Sequence, residues 1–375
     1  MPCRAASEEP PATVFPVLSA VGAVRSVCVH LSPLRLGWWL STAVIALASH
    51  AVDAGTIRDD RDPALYTSLA SDPAYQSVGL LQVSVFEEGQ PAVGSATLVA
   101  PDWVLTAAHV VEGGRAINFT VGGQTYVANR WVSHPKYTGN LITGYDLALV
   151  QLSQAVSDVV PAQIYRKRKE RTSLATFVGF GRTGNGLTGD ITDDRLKRAG
   201  TNIVDGQLKR DNKGFLKVIE KLPSTARTFA VDFDSPSNPL ESRMGSELPT
   251  DLEYLISRGD SGGGVFIDDP NDLSGPLLAG IHSFGEIFDE RDDSDYGDLT
   301  GHTRVSSYKG WIDKTITQAG FQRKLNFITP TVSTPSAFSD PTARSLPATA
   351  IPEPAATLSL LASATILALR RRQRA

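Results

Sequence analysis

Three short segments, far apart in the chain, each carry a residue that acyl-transfer chemistry requires. They are Thr106-Ala107-Ala108-His109, Tyr145-Asp146-Leu147-Ala148-Leu149 and Gly259-Asp260-Ser261-Gly262-Gly263. A fold that uses them together must bring a base, a carboxylate and a nucleophile into one cleft across about 150 residues of chain. Their order, His then Asp then Ser, narrows the choice further, because unrelated folds carry the same three residues in different orders.

A serine hydroxyl is a weak nucleophile at neutral pH and needs a base to take its proton as it attacks. Histidine, with an ordinary pKa near neutrality, suits that task. A carboxylate fixes its tautomer and stabilises the imidazolium that forms. The expected roles are therefore Ser261 as nucleophile, His109 as general base and then acid, and Asp146 as orienter. The backbone N–H groups of Gly259 and Ser261 are the candidate oxyanion donors, since glycine adopts backbone conformations that aim an N–H where other residues resist. Each segment alone has a plainer reading: a helical turn with a satisfied histidine, a polar residue at a strand edge, a glycine-rich turn. Their joint occurrence in this order favours the catalytic reading.

The centre of the chain reads as mostly β. Short apolar runs such as Leu81–Phe86, Leu147–Leu152, Ala175–Phe180 and Leu277–Ile281 are bounded by Gly, Pro, Asn and Asp. A closing helix is expected around Val305–Gln318, where apolar residues recur at helical spacing. With Gly94-Ser95-Ala96-Thr97-Leu98-Val99, Val178-Gly179-Phe180-Gly181, Gly280-Ile281-His282-Ser283-Phe284-Gly285 and Thr303-Arg304-Val305 added, the chain from about Val78 to Ile316 resembles a trypsin-like (chymotrypsin-fold) serine protease. That resemblance implies an all-β fold of two six-stranded antiparallel β-barrels, the active site between them, and a C-terminal helix. His109 and Asp146 would come from the first barrel and Ser261 from the second. It implies an endopeptidase that hydrolyses protein or peptide substrates and needs no cofactor. The expected protease domain is 55–325.

The ends differ from the centre. Leu36–Ala48 is an apolar core after a basic start, and Val52-Asp53-Ala54 offers small residues for a signal peptidase, so 1–54 reads as an N-terminal extension with a signal peptide. A membrane-anchoring helix is the rival reading, against which the run is short. An over-called start codon would account for the residues ahead of this signal. Residues 326–350 read as a Thr/Ser/Pro-rich linker. In 351–375, Pro352-Glu353-Pro354, the apolar run Ala355–Leu369 and the cluster Arg370-Arg371-Arg372-Gln373-Arg374 resemble a PEP-CTERM sorting signal. This implies membrane contact through the apolar segment, an exosortase as processing partner, and the envelope or extracellular matrix of a Gram-negative bacterium; a plain C-terminal anchor is the alternative. Both cysteines, Cys3 and Cys28, precede the expected cut, so the mature chain would have no disulfide and would rely on its core. Without 1–54 and 352–375 the chain has 29 basic and 36 acidic residues. No nucleic-acid partner is implied, and the run Arg166-Lys167-Arg168-Lys169-Glu170-Arg171 reads as a solvated loop.

Around the nucleophile, the resemblance assigns Leu255, Ile256, His282, Ser283, Phe284 and Gly285 to substrate binding. Trypsin-type enzymes carry an aspartate six residues before the serine; Leu255 stands there, so a buried Lys or Arg of the substrate would lack a partner. His282 matches a histidine that contacts the substrate carboxylate in glutamate-specific relatives, with His302 close by. An acidic or a medium-sized apolar side chain therefore remains open, as does a His282 packed under the pocket. Asp260 matches the carboxylate that receives a new amino terminus in activated relatives; the amino group left at Gly55, Arg58, or local backbone would satisfy it. Asp232-Phe233-Asp234 and the six acidic residues of Asp289–Asp298 suit hard cations in composition, but their spacing does not match an EF-hand, and no metal is assigned. Two rivals to the protease stand beside it: a catalytically idle surface or matrix binding protein, and an esterase.

Overall fold

The structure is a computed structural model that describes residues 55–328 apart from 87, 88, 290 and 292, and no side chains of 320–328. The expected signal peptide, the linker beyond 328 and the sorting signal lie outside the described residues. Among the described residues no helix is long and apolar enough to cross a membrane.

The chain enters through β1 (Gly55–Ile57) and a helix not expected from the sequence, α1 (Pro63–Ala70). Asp62 caps α1 by accepting from the Ala64 N–H at 2.9 Å, and Pro63 opens it, the usual start chemistry of a helix. Six strands follow: β2 (Val78–Ser84), β3 (Ala92–Ala100), β4 (Trp103–Thr106), β5 (Ala116–Val121), β6 (Gln124–Ser133) and β7 (Ala148–Leu152), with the single-turn α2 (Ala108–Val111) after β4. They close into an antiparallel barrel in the order β2-β3-β4-β7-β6-β5. Alternate residues of each strand fill it: Leu81 and Val83, Ala96 and Leu98, Ile117 and Phe119, Ala148 and Val150.

The second half contains β8 (Leu174–Gly179), β9 (Thr183–Asn185), β10 (Gly189–Thr192), β11 (Arg198–Ile203), β12 (Gln207–Arg210), β13 (Leu216–Ile219), β14 (Thr228–Asp232), β15 (Tyr254–Leu255), β16 (Gly264–Ile267), β17 (Leu277–Glu286) and β18 (Leu299–Arg304). Six of them form one sheet, β11-β8-β16-β17-β18-β14. Its two edges meet just past β11, where Gly206 and Ala230 of β14 exchange hydrogen bonds at 2.9 and 3.4 Å. The result is the expected mostly β architecture, consistent with the two-barrel plan, with the first barrel closed and the second half a six-stranded half-barrel. Two additions lie outside these two sheets: the antiparallel hairpin β12–β13, and a sheet β10-β9-β1-β15 in which β1 runs parallel to β9.

The closing helix, α3 (Lys309–Ile328), starts four residues later than expected. Ile312 joins Val305 and Tyr308 in a core shared by both halves, with Trp103, Leu105 and Leu149 from the first and Val178, Phe266 and Ile281 from the second. That shared apolar layer holds the two halves against each other at the cleft.

The basic residues of the run 166–171 are exposed, as expected of a solvated loop, but the run is also anchored to the core. Arg166 pairs with Asp313 on α3 at the surface. Its lone acid, Glu170, is instead fully buried against the fully buried Arg304, with Ser306 Oγ donating at 2.9 Å. A buried carboxylate requires such a partner, and sequence periodicity gives no sign of it.

Candidate active site

His109 sits on α2, directly after β4 delivers the chain to the cleft, and Asp146 lies two residues before β7. β4 and β7 are paired, with Thr106 opposite Ala148, so the two residues meet. Asp146 is fully buried. Its Oδ2 accepts from His109 Nδ1 at 2.7 Å, and its Oδ1 accepts the His109 backbone N–H at 2.9 Å. These bonds place the imidazole in the tautomer that leaves Nε2 free to take a proton. A third donor comes from the other half: Ser283 Oγ on β17 reaches Asp146 Oδ2 at 2.6 Å. Thr303 Oγ1 on β18 donates to the Asp146 carbonyl at 2.9 Å. Tyr308 Oη donates to the carbonyl of Gly144 two residues earlier. The carboxylate is thus positioned by both halves, a signal the sequence segments did not carry.

Ser261 is half-buried in the loop between β15 and β16. Gly259 and Gly262, at φ +100° and +86°, bend that loop. A Cβ at Gly262 would stand 2.1 Å from Thr106 Oγ1 and 2.2 Å from the Ser95 carbonyl, so only glycine fits. Ser95 of β3 ties the loop to the first barrel. Its N–H donates to the Ser261 carbonyl at 2.8 Å, and its Oγ donates to the Gly259 carbonyl at 3.1 Å. Ser95 also accepts the Phe180 N–H at 3.0 Å through Oγ and the Thr106 hydroxyl at 2.8 Å through its carbonyl. Among the described residues, neither the Gly259 nor the Ser261 N–H has a protein acceptor, whereas the Asp260, Gly262 and Gly263 N–H groups do. No hydrogen bond joins His109 and Ser261 side chains among the described residues; such bonds commonly tighten only with substrate bound.

Asp260 is fully buried. It accepts from the N–H groups of Gly181 at 2.8 Å and Ser257 at 2.9 Å, and from Tyr254 Oη at 3.2 Å. Burial pushes its pKa up to about 6 against those bonds and the nearby Arg198 cation. Arg58, one expected partner, instead holds Asp60 at 2.7 and 2.8 Å and the Thr250 carbonyl at 2.7 Å. Gly55 packs against the Tyr254 ring and donates its N–H to the Arg182 carbonyl at 2.6 Å.

The expected specificity residues separate into three groups. Leu255 and Ile256 are buried in the core of the second half with Phe229 and Val231. On the strand that would meet substrate, Gly285 is exposed, Phe284 packs over Gly301, and the Ser283 hydroxyl is committed to Asp146. His282 is fully buried, stacks 5.8 Å from Phe177, and meets His302 Nδ1 to Nδ1 at 3.2 Å. Burial pushes the His282 pKa down to about 3 and holds that of His302, beside it, well below the ordinary histidine value, so both are neutral at physiological pH. His282 Nε2 has no hydrogen-bond partner.

Residues 72–235 match the family model Trypsin; the match takes in His109 and Asp146 and ends before Ser261. The chain is similar to mast cell protease 3 of Ovis aries, 24% identical over 290 residues, 73% of this chain and 95% of that protein. It is also similar to chymotrypsin of Phaedon cochleariae, 25% identical over 233 residues, 58% of this chain and 69% of that protein. Among solved structures, HL collagenase overlaps with a TM-score of 0.47 at 20% identity, over 71% of this chain and 99% of its own.

Proposed function

We propose, from the premise that this chain carries a trypsin-like serine protease domain and is a serine-type endopeptidase, that Ser261, His109 and Asp146 are its catalytic residues. In this reading Ser261 Oγ attacks the scissile carbonyl as His109 Nε2 takes its proton. The Gly259 and Ser261 N–H groups receive the oxyanion, and the acyl-enzyme on Ser261 is then hydrolysed by water activated by the same histidine. The observation that carries it is the buried Asp146, bonded to His109 Nδ1 at 2.7 Å and braced by Ser283 from the opposite half. A binding module has no use for that arrangement together with two unengaged N–H donors at Gly259 and Ser261.

Cleavage after Lys or Arg is disfavoured, because Leu255 supplies no counter-charge. A medium-sized apolar side chain before the scissile bond is the reading we adopt: Leu255, Ile256 and Phe284 are apolar, and no part of His282 reaches solvent. One observation favours an acidic side chain instead, the unpartnered Nε2 of His282. Peptides differing only at that residue decide between them. Equal rates for His282→Val and the parent on every peptide would remove the acidic reading; loss confined to Glu and Asp peptides would remove ours.

The wider setting is export, supported by the signal-like segment ahead of Gly55. Sorting through Pro352-Glu353-Pro354 and the following apolar run would hold the enzyme at a Gram-negative envelope until an exosortase releases it. Mass spectrometry of the chain recovered from such a host tests this. An intact C-terminus on all molecules would contradict it.

A further inference from the structure

We propose that the loop between β17 and β18 is a binding site for a divalent cation of calcium's size, held by the carboxylates of Asp289, Asp295 and Asp298. One oxygen from each lies within 4.8 Å of the others. Oxygens that share a calcium ion sit about 2.3–2.6 Å from it, so their mutual separations reach about twice that, and this trio fits around one ion.

Asp298 supplies the independent observation. It is 3% exposed, its Oδ1 accepts the Phe288 N–H at 3.0 Å, and its Oδ2 has no hydrogen-bond partner. A buried carboxylate oxygen left without a donor is costly, and the Asp298 carboxylate that carries it stands within 4.8 Å of those of Asp289 and Asp295. Asp295, also 3% exposed, is the second buried ligand.

Arg291 is the resident counter-charge. Its guanidinium pairs with Asp289 at 3.1 Å, with Asp293 at 3.7 Å and with Asp295. It makes no hydrogen bond to Asp298 Oδ2, and among the described residues Arg291 faces the carboxylates of Asp289, Asp293, Asp295 and Asp298, with Arg258 acting on Asp293 as well. The Arg291 side chain is about half exposed, so it can swing into water at little cost. A divalent ion in its place supplies twice the charge and meets the orphaned oxygen. Sequence spacing missed the site because its ligands follow no EF-hand pattern; the fold brings them together. The loop follows directly on the Gly285 strand, so an ion here would fix the end of that strand.

The test uses the mature chain carrying Ser261→Ala, which prevents self-digestion and makes the result independent of the catalytic assignment. Calcium is titrated with melting temperature as one readout. Terbium luminescence, sensitised through Tyr296, is the other. The expected dissociation constant is about 10⁻⁴–10⁻³ M, as in extracellular modules. Asp298→Asn should weaken binding at least tenfold, and Arg291→Ala should strengthen it by removing the competitor. Asp289→Asn, an exposed change, replaces Asp298→Asn in the comparison if that variant does not fold. No calcium-dependent change in either the parent or the Arg291→Ala protein would overturn the proposal. So would binding that neither aspartate substitution weakens.

Discussion

The two halves of this protease domain are built from different interiors. The first barrel is closed and filled by aliphatic and aromatic side chains; its buried polar residues are neutral except for Asp146, which serves the cleft. The second half buries Arg198, Arg304, Glu170, Asp205, Asp232, Asp234, Glu253, Asp260, His282 and His302. Hydrophobic burial therefore suffices to shape the barrel that presents His109, while the half that presents Ser261 also buries ionisable groups, some paired, as Glu170 is with Arg304, and some not. Its stability should be conditional where that of the first barrel is not.

The largest expected effect lies where the halves meet. Asp146→Asn keeps the shape of the site but favours the wrong imidazole tautomer, and kcat should fall about 10⁴-fold. Ser283→Ala removes one hydrogen bond to the same carboxylate from the second half, worth about 1.5–3 kcal/mol, so activity should fall about ten- to a hundredfold with little change in KM. Full activity in Ser283→Ala would mean that the first barrel alone orients Asp146.

Breaking the buried pair tests the contrast in stability. Glu170→Gln leaves the Arg304 charge buried, and urea unfolding should show a loss of about 3–5 kcal/mol. If Glu170→Gln costs less than about 1 kcal/mol, the second half does not depend on its charges as described.

A smaller effect follows from the carboxylates around β14 and β15. Burial, with mutual repulsion, pushes Asp205 up to about 9, Asp234 to about 7 and Glu253 to about 8. Asp234 Oδ1 and Glu253 Oε1 have no hydrogen-bond partners. Because their folded pKa values lie above the ordinary range, the folded state keeps protons that the unfolded chain releases. Their contribution is full below about pH 4 and is lost as pH rises through the interval up to about 9. Melting temperature should be about 5 °C higher at pH 5 than at pH 8.5, and Glu253→Gln should shrink the difference. A pH-independent melting temperature would refute it.

The same contrast explains what could be read from the sequence. The first barrel was legible because alternating apolar strands ended by Gly, Pro, Asn and Asp report directly on burial. The three segments also pointed to one cleft, and the structure brings Asp146 onto His109. What stayed hidden was long-range and polar. Nothing near Glu170 announces Arg304, 134 residues away. Ser95 and Ser283 look like ordinary strand serines until they hold the Ser261 loop and Asp146. Asp260 could have taken Arg58, but local N–H groups and Tyr254 satisfy it. The α1 helix was missed because it is short, although Asp62-Pro63 is a recognisable start.

The most direct test treats the mature domain with a fluorophosphonate probe beside Ser261→Ala and offers both proteins casein. Covalent labelling and casein cleavage by the parent are expected, with both abolished in a variant that melts at the same temperature. Labelling that persists in Ser261→Ala, or a parent that neither labels nor cleaves, would contradict the assignment of Ser261 as nucleophile. Labelling without cleavage would point to an esterase.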